Sequence, residues 1–510
     1  MRFSWYKRPA MSTAYEELRT RLAEIADLSR VIGLLFWDQR TMMPPTAAPA
    51  RAEQLATLNR ITHERFVSEE IGRLLEEVRP EEESLEYDSV EASHIRVARR
   101  DYEKARRVPP ELRAEMVRTA ALALPAWEQA SLTSDFSVFL PHLERTLELR
   151  RKYVACFDKA DEDYDILLDD YEPGMTTAEV RAVLDVLKRE LGPLIAAVAE
   201  HADVVDDSCL AGPFPTAGQK AFETEVLDTF GFTPDSWRID ETVHPFASNG
   251  GIGDIRLTTR HREHELSVFA SMHEFGHGLY EHGIAPELER TLLCRGVSLG
   301  LHESQSRMWE NLVGRSRPFW RHFLPALRRE FPSLAGVDAE GFYRAVNKIE
   351  PSLIRIEADE VTYNMHIILR FELEQELLAG SLVPADVPEA WNAKMAEYLG
   401  IEVPDVADGV LQDMHWAGGH VGYFSTYTLG NVISVQIWER LKRDLPDVDE
   451  SIEAGDFVAL REWLREHLHR FGRMFTPKET LERVVGASLD PGPYVAYLKA
   501  KAGDLYGLPA

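Results

Sequence analysis

What most constrains this chain is that its apolar residues recur with helical period along most of its length. Leu18, Leu22, Ile25, Leu28, Ile32 and Leu35 follow one another every three or four positions, the stripe of an amphipathic helix of more than about four turns. "RVPPEL" at 107–112 ends one helical stretch and opens another, because proline is tolerated in a first turn but not in a helix interior. "YEPGMTTAEV" at 171–180 joins a Pro-Gly turn to the capping box Thr176-x-x-Glu179, and the tail from Phe457 to Phe471 is again helical in pattern. The strand signal is sparse and best in "DIRLTTR", 254–260, which alternates after the Gly-rich "SNGGIG". These patterns predict a mainly α-helical chain with a small β-sheet near residue 255, and no internal repeat, low-complexity segment or long linker.

Against that background stands "SMHEFGHGLY", 271–280. With Val268 to His282 helical, Val268, Phe269, Met272, Phe275, Leu279 and Tyr280 form one apolar stripe that buries the helix. His273 and His277, four residues apart, project from one side a turn apart, and two such imidazoles can hold one zinc ion at about 2.0–2.1 Å each. Glu274 lies about 100° further round, poorly placed as a third ligand and well placed to take a proton from a water that the ion activates. Gly276 and Gly278 each cost a helix interior about 0.5–1 kcal/mol, which a close approach of another backbone or of substrate would explain. The plainer reading is a helix whose two histidines are satisfied by neighbours.

A zinc site needs a third protein ligand. The pattern with a third His six residues after the second fails, since position 283 is Gly and position 280 is Tyr, and His282 is one residue off. The other solution is a Glu from a following helix. "VSLGLHESQSRMWENL", 297–312, offers Glu303, on an apolar-periodic segment separated from His277 by enough chain for a loop and a return helix. The adjacent His302 points elsewhere on such a helix, in a supporting or structural role. Imidazole ligands usually donate their other N–H to a carboxylate or carbonyl. In thermolysin-like sequences an Asp four residues after the ligand Glu provides this; here that position is Arg307, which leaves Glu310, Asp359 and Asp413 as alternatives.

Charge narrows the function classes. With 57 basic against 85 acidic residues, a net charge of −28 repels nucleic acid and anionic membranes. Three scattered cysteines, Cys156, Cys209 and Cys294, make neither a disulfide framework nor a thiolate zinc site, and suit a reducing cytoplasm. No apolar run is long enough to span a membrane. "MRFSWYKRPA" carries basic residues without an apolar core. Because Met11 opens "MSTAYEELRTRL", residues 1–10 read as an extension and residues 11–510 as one continuous unit.

Eight segments in order carry a resemblance: "WDQRTMMP" at 37–44, "HPF" at 244–246, "DIRLT" at 254–258, "HEFGH" at 273–277, "HESQ" at 302–305, "IRIEAD" at 354–359, "GVLQDMHW" at 409–416 and "GYFSTYTLGN" at 422–431. Together they are similar to the M32 metallocarboxypeptidases, the carboxypeptidase Taq family. The resemblance implies two helical lobes around a deep substrate groove, as in neurolysin and the angiotensin-converting enzymes. It further implies a homodimer, a divalent metal (zinc, or cobalt), and removal of single residues from the C-termini of peptides. In that chemistry His273, His277 and Glu303 hold the metal and Glu274 is the general base.

Tetrahedral oxyanions need donors, and "DMHWAGGHVGYFSTY" offers His415, Tyr423 and Tyr427. The resemblance prefers His415 and Tyr427; buried aromatics with satisfied polar tips are the plain alternative. Arginine reads a terminal carboxylate best. The resemblance makes Arg256 and Arg355 the carboxylate binders, with Asp254 or Asp359 orienting them. The residues alone leave each open as an ordinary salt-bridge partner. His244 either lines the groove or braces the strand. The rival activity is an endo-acting oligopeptidase with the same HExxH and distal Glu, indifferent to the C-terminus. A peptide-binding scaffold is disfavoured by Glu274, a base that binding alone does not need.

Overall fold

The apolar stripe at the N-terminus forms the helix Thr13–Thr41, capped by Ser12, whose side chain accepts the Tyr15 N–H. The computed structural model describes residues 11–508, so the extension expected at residues 1–10 lies outside them. Leu18, Leu22 and Ile25 pack with Ile71, Leu74, Ile95 and Tyr102 in a small core of their own. Past Ile25 the stripe leaves that core and runs along the sheet, and Leu28, Ile32 and Leu35 are only half-buried. The double proline separates the helices Val90–Arg107 and Pro110–Thr133. The capping box forms as expected, with Thr176 and Glu179 satisfying each other's backbone at the start of Thr177–Ala199. The tail gives Val458–His467 and one further turn, His469–Phe471.

Among the described residues there is one sheet, of three strands: β1, Trp237–Glu241; β2, Ala247–Gly251; and β3, Asp254–Thr259. β3 lies in the middle, parallel to β1 with Trp237 opposite Ile255, and antiparallel to β2. The remaining architecture is helical around one large apolar core, as expected, and no helix among the described residues is long and apolar enough to cross a membrane.

Pleating puts Ile255 and Leu257 of β3 on the buried face, and the helix Val268–His282 packs there. The two glycines of "HEFGHG" are explained by what they touch. A Cβ at Gly278 would meet the Trp237 ring at 2.4 Å and Ile255 at 2.9 Å; one at Gly276 would meet the Gln305 carbonyl oxygen at 2.5 Å. The first lets the helix lie on the sheet. The second lets the helix Leu299–Arg307 approach backbone to backbone. The helix stability lost to the two glycines is offset by one close contact with the sheet and one with a neighbouring helix.

Candidate metal centre and the groups around it

The close approach at Gly276 brings Glu303 opposite the two histidines. Glu303 Oε2 lies 3.6 Å from His273 Nε2 and 3.5 Å from His277 Nε2, and donor atoms of all three residues lie within 4.8 Å of one another. Tetrahedral ligands at zinc distances stand about 3.4 Å apart, so the donor set fits a small divalent cation. Each histidine reaches this point through Nε2 because its Nδ1 is engaged elsewhere. His273 Nδ1 bonds Glu310 Oε2 at 2.8 Å, and His277 Nδ1 bonds His302 Nδ1 at 2.6 Å. His302 passes the chain on through Nε2 to Glu281 Oε1 at 3.1 Å. With the histidines presenting Nε2 as a lone pair, the assignment is unique: His277 donates to His302, and His302 donates to Glu281.

Of the three carboxylates open as imidazole partners, only Glu310 takes that place. It lies seven residues after Glu303, two turns on along the same side, in the π-helical turn Met308–Val313 that continues the helix Leu299–Arg307. The position four residues after Glu303 instead holds Arg307, whose Nε donates to Glu303 Oε1 at 2.7 Å and whose Nη1 donates to Glu310 Oε2 at 3.3 Å. Arg307 thus ties both carboxylates together, and it stacks on Tyr363 at 4.6 Å. Burial opposes charge on Glu303 and Glu310, but Arg307 and His273 overcome it; Glu303 is held well below the carboxylate range and Glu310 at about 2. Burial lowers His277 to about 4, keeping it neutral. Glu274, one residue beyond His273, is buried, and its Oε2 has no hydrogen-bond partner. Burial pushes it up to about 7.

A second cluster lies beside this one. The helix Ser425–Asp444 packs on the glutamate helix at Gly430, where a Cβ would meet Glu303 Cγ at 2.5 Å. Its first turn carries Tyr427, whose hydroxyl is 3.1 Å from His415 Nε2; the His415 and Tyr423 rings are 5.2 Å apart. Burial lowers His415 and raises Tyr423 to about 12, so both stay neutral.

Arg355 is buried in the same cluster, its guanidinium 5.0 Å from the Tyr427 ring. It donates through Nε and Nη2 to Asp413 and through Nη1 to the Tyr363 hydroxyl at 2.9 Å. The expected orienting residue Asp359 does not do this. Its carboxylate instead accepts from Thr362 and from the Glu350 N–H, because it caps the turn that precedes the helix Tyr363–Ala379. Asp413 orients Arg355, and fully buried Arg370 grips its other oxygen at 2.7 Å. Gln412 accepts the Arg355 backbone N–H at 2.9 Å, stitching "IRIEAD" to "GVLQDMHW".

Arg256 sits elsewhere. It projects from β3 on the face opposite Ile255 and Leu257, pairs with Asp254 at 2.9 and 3.0 Å as expected, and stacks over Trp37 at 4.4 Å. His244 is exposed; the bracing falls to Phe246, whose N–H donates to Thr258 Oγ1. His282 bonds the Ile252 carbonyl. Sequence reasoning passed over Arg307, Tyr363 and Arg370. The four-residue spacing of Glu303 and Arg307 on a helix was the one local signal among these.

Two imidazoles and a carboxylate converge on a point, a donor set that could hold a metal ion, beside a buried glutamate oxygen with no partner. The chain belongs to the M32 metallopeptidase family: residues 17–502 match the family model described as carboxypeptidase Taq (M32) metallopeptidase. It is therefore a peptide hydrolase. It is 41% identical over 505 residues to thermostable carboxypeptidase 1 of Thermus thermophilus, covering 97% of this chain and 99% of the relative. With carboxypeptidase 1 of Bacillus subtilis it shares 34% over 497 residues, 97% and 99% of the two chains. The solved M32 carboxypeptidase from Deinococcus radiodurans matches with a TM-score of 0.93 at 40% identity, over 98% of this chain and 100% of that one. The Pyrococcus furiosus carboxypeptidase matches at 0.94 and 34%, over 96% and 99%.

Proposed function

We propose that this protein removes single residues from the C-termini of peptides, with His273, His277 and Glu303 holding one divalent cation, zinc foremost and cobalt as the alternative. The observation that carries the reading is the convergence of two Nε2 atoms and Glu303 Oε2 beside the unpartnered oxygen of Glu274. Held by His273, His277 and Glu303, such a cation would supply acidification of water and polarisation of the scissile carbonyl. Glu274 takes the proton from the attacking water and delivers it to the leaving amine; its value of about 7, set by burial, suits a group that must do both. Tyr427, with His415 bonded to it, donates to the developing oxyanion, and Tyr423 is the third donor in reach of the same space.

Arg355 binds the terminal carboxylate. Its bonds to Asp413 and Tyr363 leave an N–H on each terminal nitrogen for the substrate, in a fork already aligned. Arg256 adds a further carboxylate contact from β3. The family likeness supports a homodimer, and the three free cysteines a cytoplasmic setting.

The test uses one peptide as free acid and as C-terminal amide, with metal-loaded protein and Glu274→Gln as the blank. A ladder of single-residue losses from the acid alone, read by mass spectrometry, is the expected result. Internal cleavage of both forms would replace this reading with the oligopeptidase. Chelation should lower Tm, and added zinc or cobalt should restore it, because the ion binds the folded ligand set and not the unfolded chain; an unchanged Tm would refute the ligand assignment.

A further inference from the structure

Behind the glutamate helix, on the side away from the histidines, lies a cavity of about 420 Å³. Met175, Val183, Leu301, Ile433, Leu481 and Leu489 make it largely apolar. Its polar floor is Glu172, 1% exposed. The carboxylate accepts the Gly300 N–H in the first turn of the glutamate helix and is also bonded by the Ser298 side chain, while Oε2 has no partner. A buried carboxylate oxygen left unpaired costs about 1–3 kcal/mol or more, and burial pushes this group up to about 7. One water could satisfy the oxygen, but the space is far larger than a water and falls in the range of small-ligand pockets.

Charge decides which ligand fits. The mouth carries Glu179 and Glu482, and its cation, Lys478, is already committed to both oxygens of Glu179 at 2.6 and 2.8 Å. An anion would meet three carboxylates; a neutral apolar molecule would leave Glu172 as it is. A cation with a hydrocarbon body satisfies both walls and floor.

We propose that this cavity is a binding site for a compact apolar primary amine, its ammonium paired with Glu172 and its hydrocarbon packed between the helices Thr177–Ala199, Ser425–Asp444 and Pro477–Val485. The site is independent of the metal centre and of the reading of its chemistry. It touches that centre through one element: Glu172 holds Gly300, and Leu301 forms the cavity wall, on the helix that carries Glu303.

The test is calorimetric titration of phenethylamine into the metal-loaded protein, beside 2-phenylethanol, which has the same shape without the charge. The expected result is saturable one-to-one binding of the amine, weakened by about tenfold or more both in the alcohol and in Glu172→Gln. Gln keeps the acceptor for Gly300 while removing the charge. Ala182→Phe, at an exposed position on the mouth, should abolish amine binding and leave peptide hydrolysis unchanged. Absence of saturable binding would overturn the proposal. So would amine binding that survives both substitutions, since the ligand would then sit elsewhere, the catalytic centre included. If Glu172→Gln fails to fold, the alcohol and Ala182→Phe decide alone.

Discussion

Arg355 and Arg256 look alike in the sequence and are unlike in the molecule. Each lies in a short motif, and each forms a forked pair with an aspartate. Arg355 and Asp413 are 7% and 9% exposed, and the pair is locked by Arg370, Tyr363 and Gln412 against the ring of Tyr427. Arg256 and Asp254 are 19% and 40% exposed, and the arginine leans on Trp37 across the sheet from the metal-site helix. A buried fork is aimed and desolvated before substrate arrives, whereas a half-exposed one spends its attraction against water. The same residue pair is therefore rigidly held in one place and adaptable in the other.

The sharpest way to break this contrast is Asp413→Asn. It strips the shared counter-charge from two buried arginines, and should destabilise the protein by about 3–5 kcal/mol in denaturant titration. The effect carries a pH signature. Burial opposes the charge on Asp413, but Arg355 and Arg370 hold the group well below its ordinary 3.8. Such a group gives stability that is complete above the unfolded value and is lost as pH falls through the lower folded value. The gap between wild type and Asp413→Asn should thus stay constant from neutrality to about pH 4 and close only in stronger acid. A gap that closes near neutrality would mean Asp413 is not the partner described.

Arg355→Ala should lower kcat/KM on free-acid peptides by about a hundredfold while leaving metal affinity intact, with kinetics and metal titration read side by side. An unchanged kcat/KM would end its role as carboxylate binder. Arg256→Ala should lower the same ratio by only about tenfold or less; a loss equal to that of Arg355→Ala would erase the distinction. Smallest is Trp37→Phe, which keeps a buried ring beneath Arg256 and Arg238 but weakens its π face, and should cost about 1 kcal/mol, measured as a shift in the denaturant midpoint.

The local features were legible because they are local. The HEFGH helix spans Val268–His282 as its stripe implied, β3 falls on the alternating segment, and Glu303 meets the histidines. What escaped depends on winding or on distance. Glu310 was one of three carboxylates left open, and only its bond to His273 across thirty-seven residues singles it out. His302, read as a supporting residue, takes that part, but its partner His277 could not be named from a helical wheel that turned it away. Asp413 was open as a partner of the histidines and belongs instead to Arg355 and Arg370, a pairing across more than forty residues that no periodicity encodes.

The contact at Gly276 has a consequence for which ion the site accepts. Glu303 stands two residues before Gln305, whose carbonyl blocks any side chain at position 276, so the gauge of the ligand triangle is set by a hydrogen atom outside it. Widening that gap by a methyl would move Glu303 away from both histidines, whose own spacing is fixed by the helix they share. Ionic radius could then be retuned by a residue that never touches the ion, and Gly276→Ala is the place to look for a drift from small cations towards larger ones.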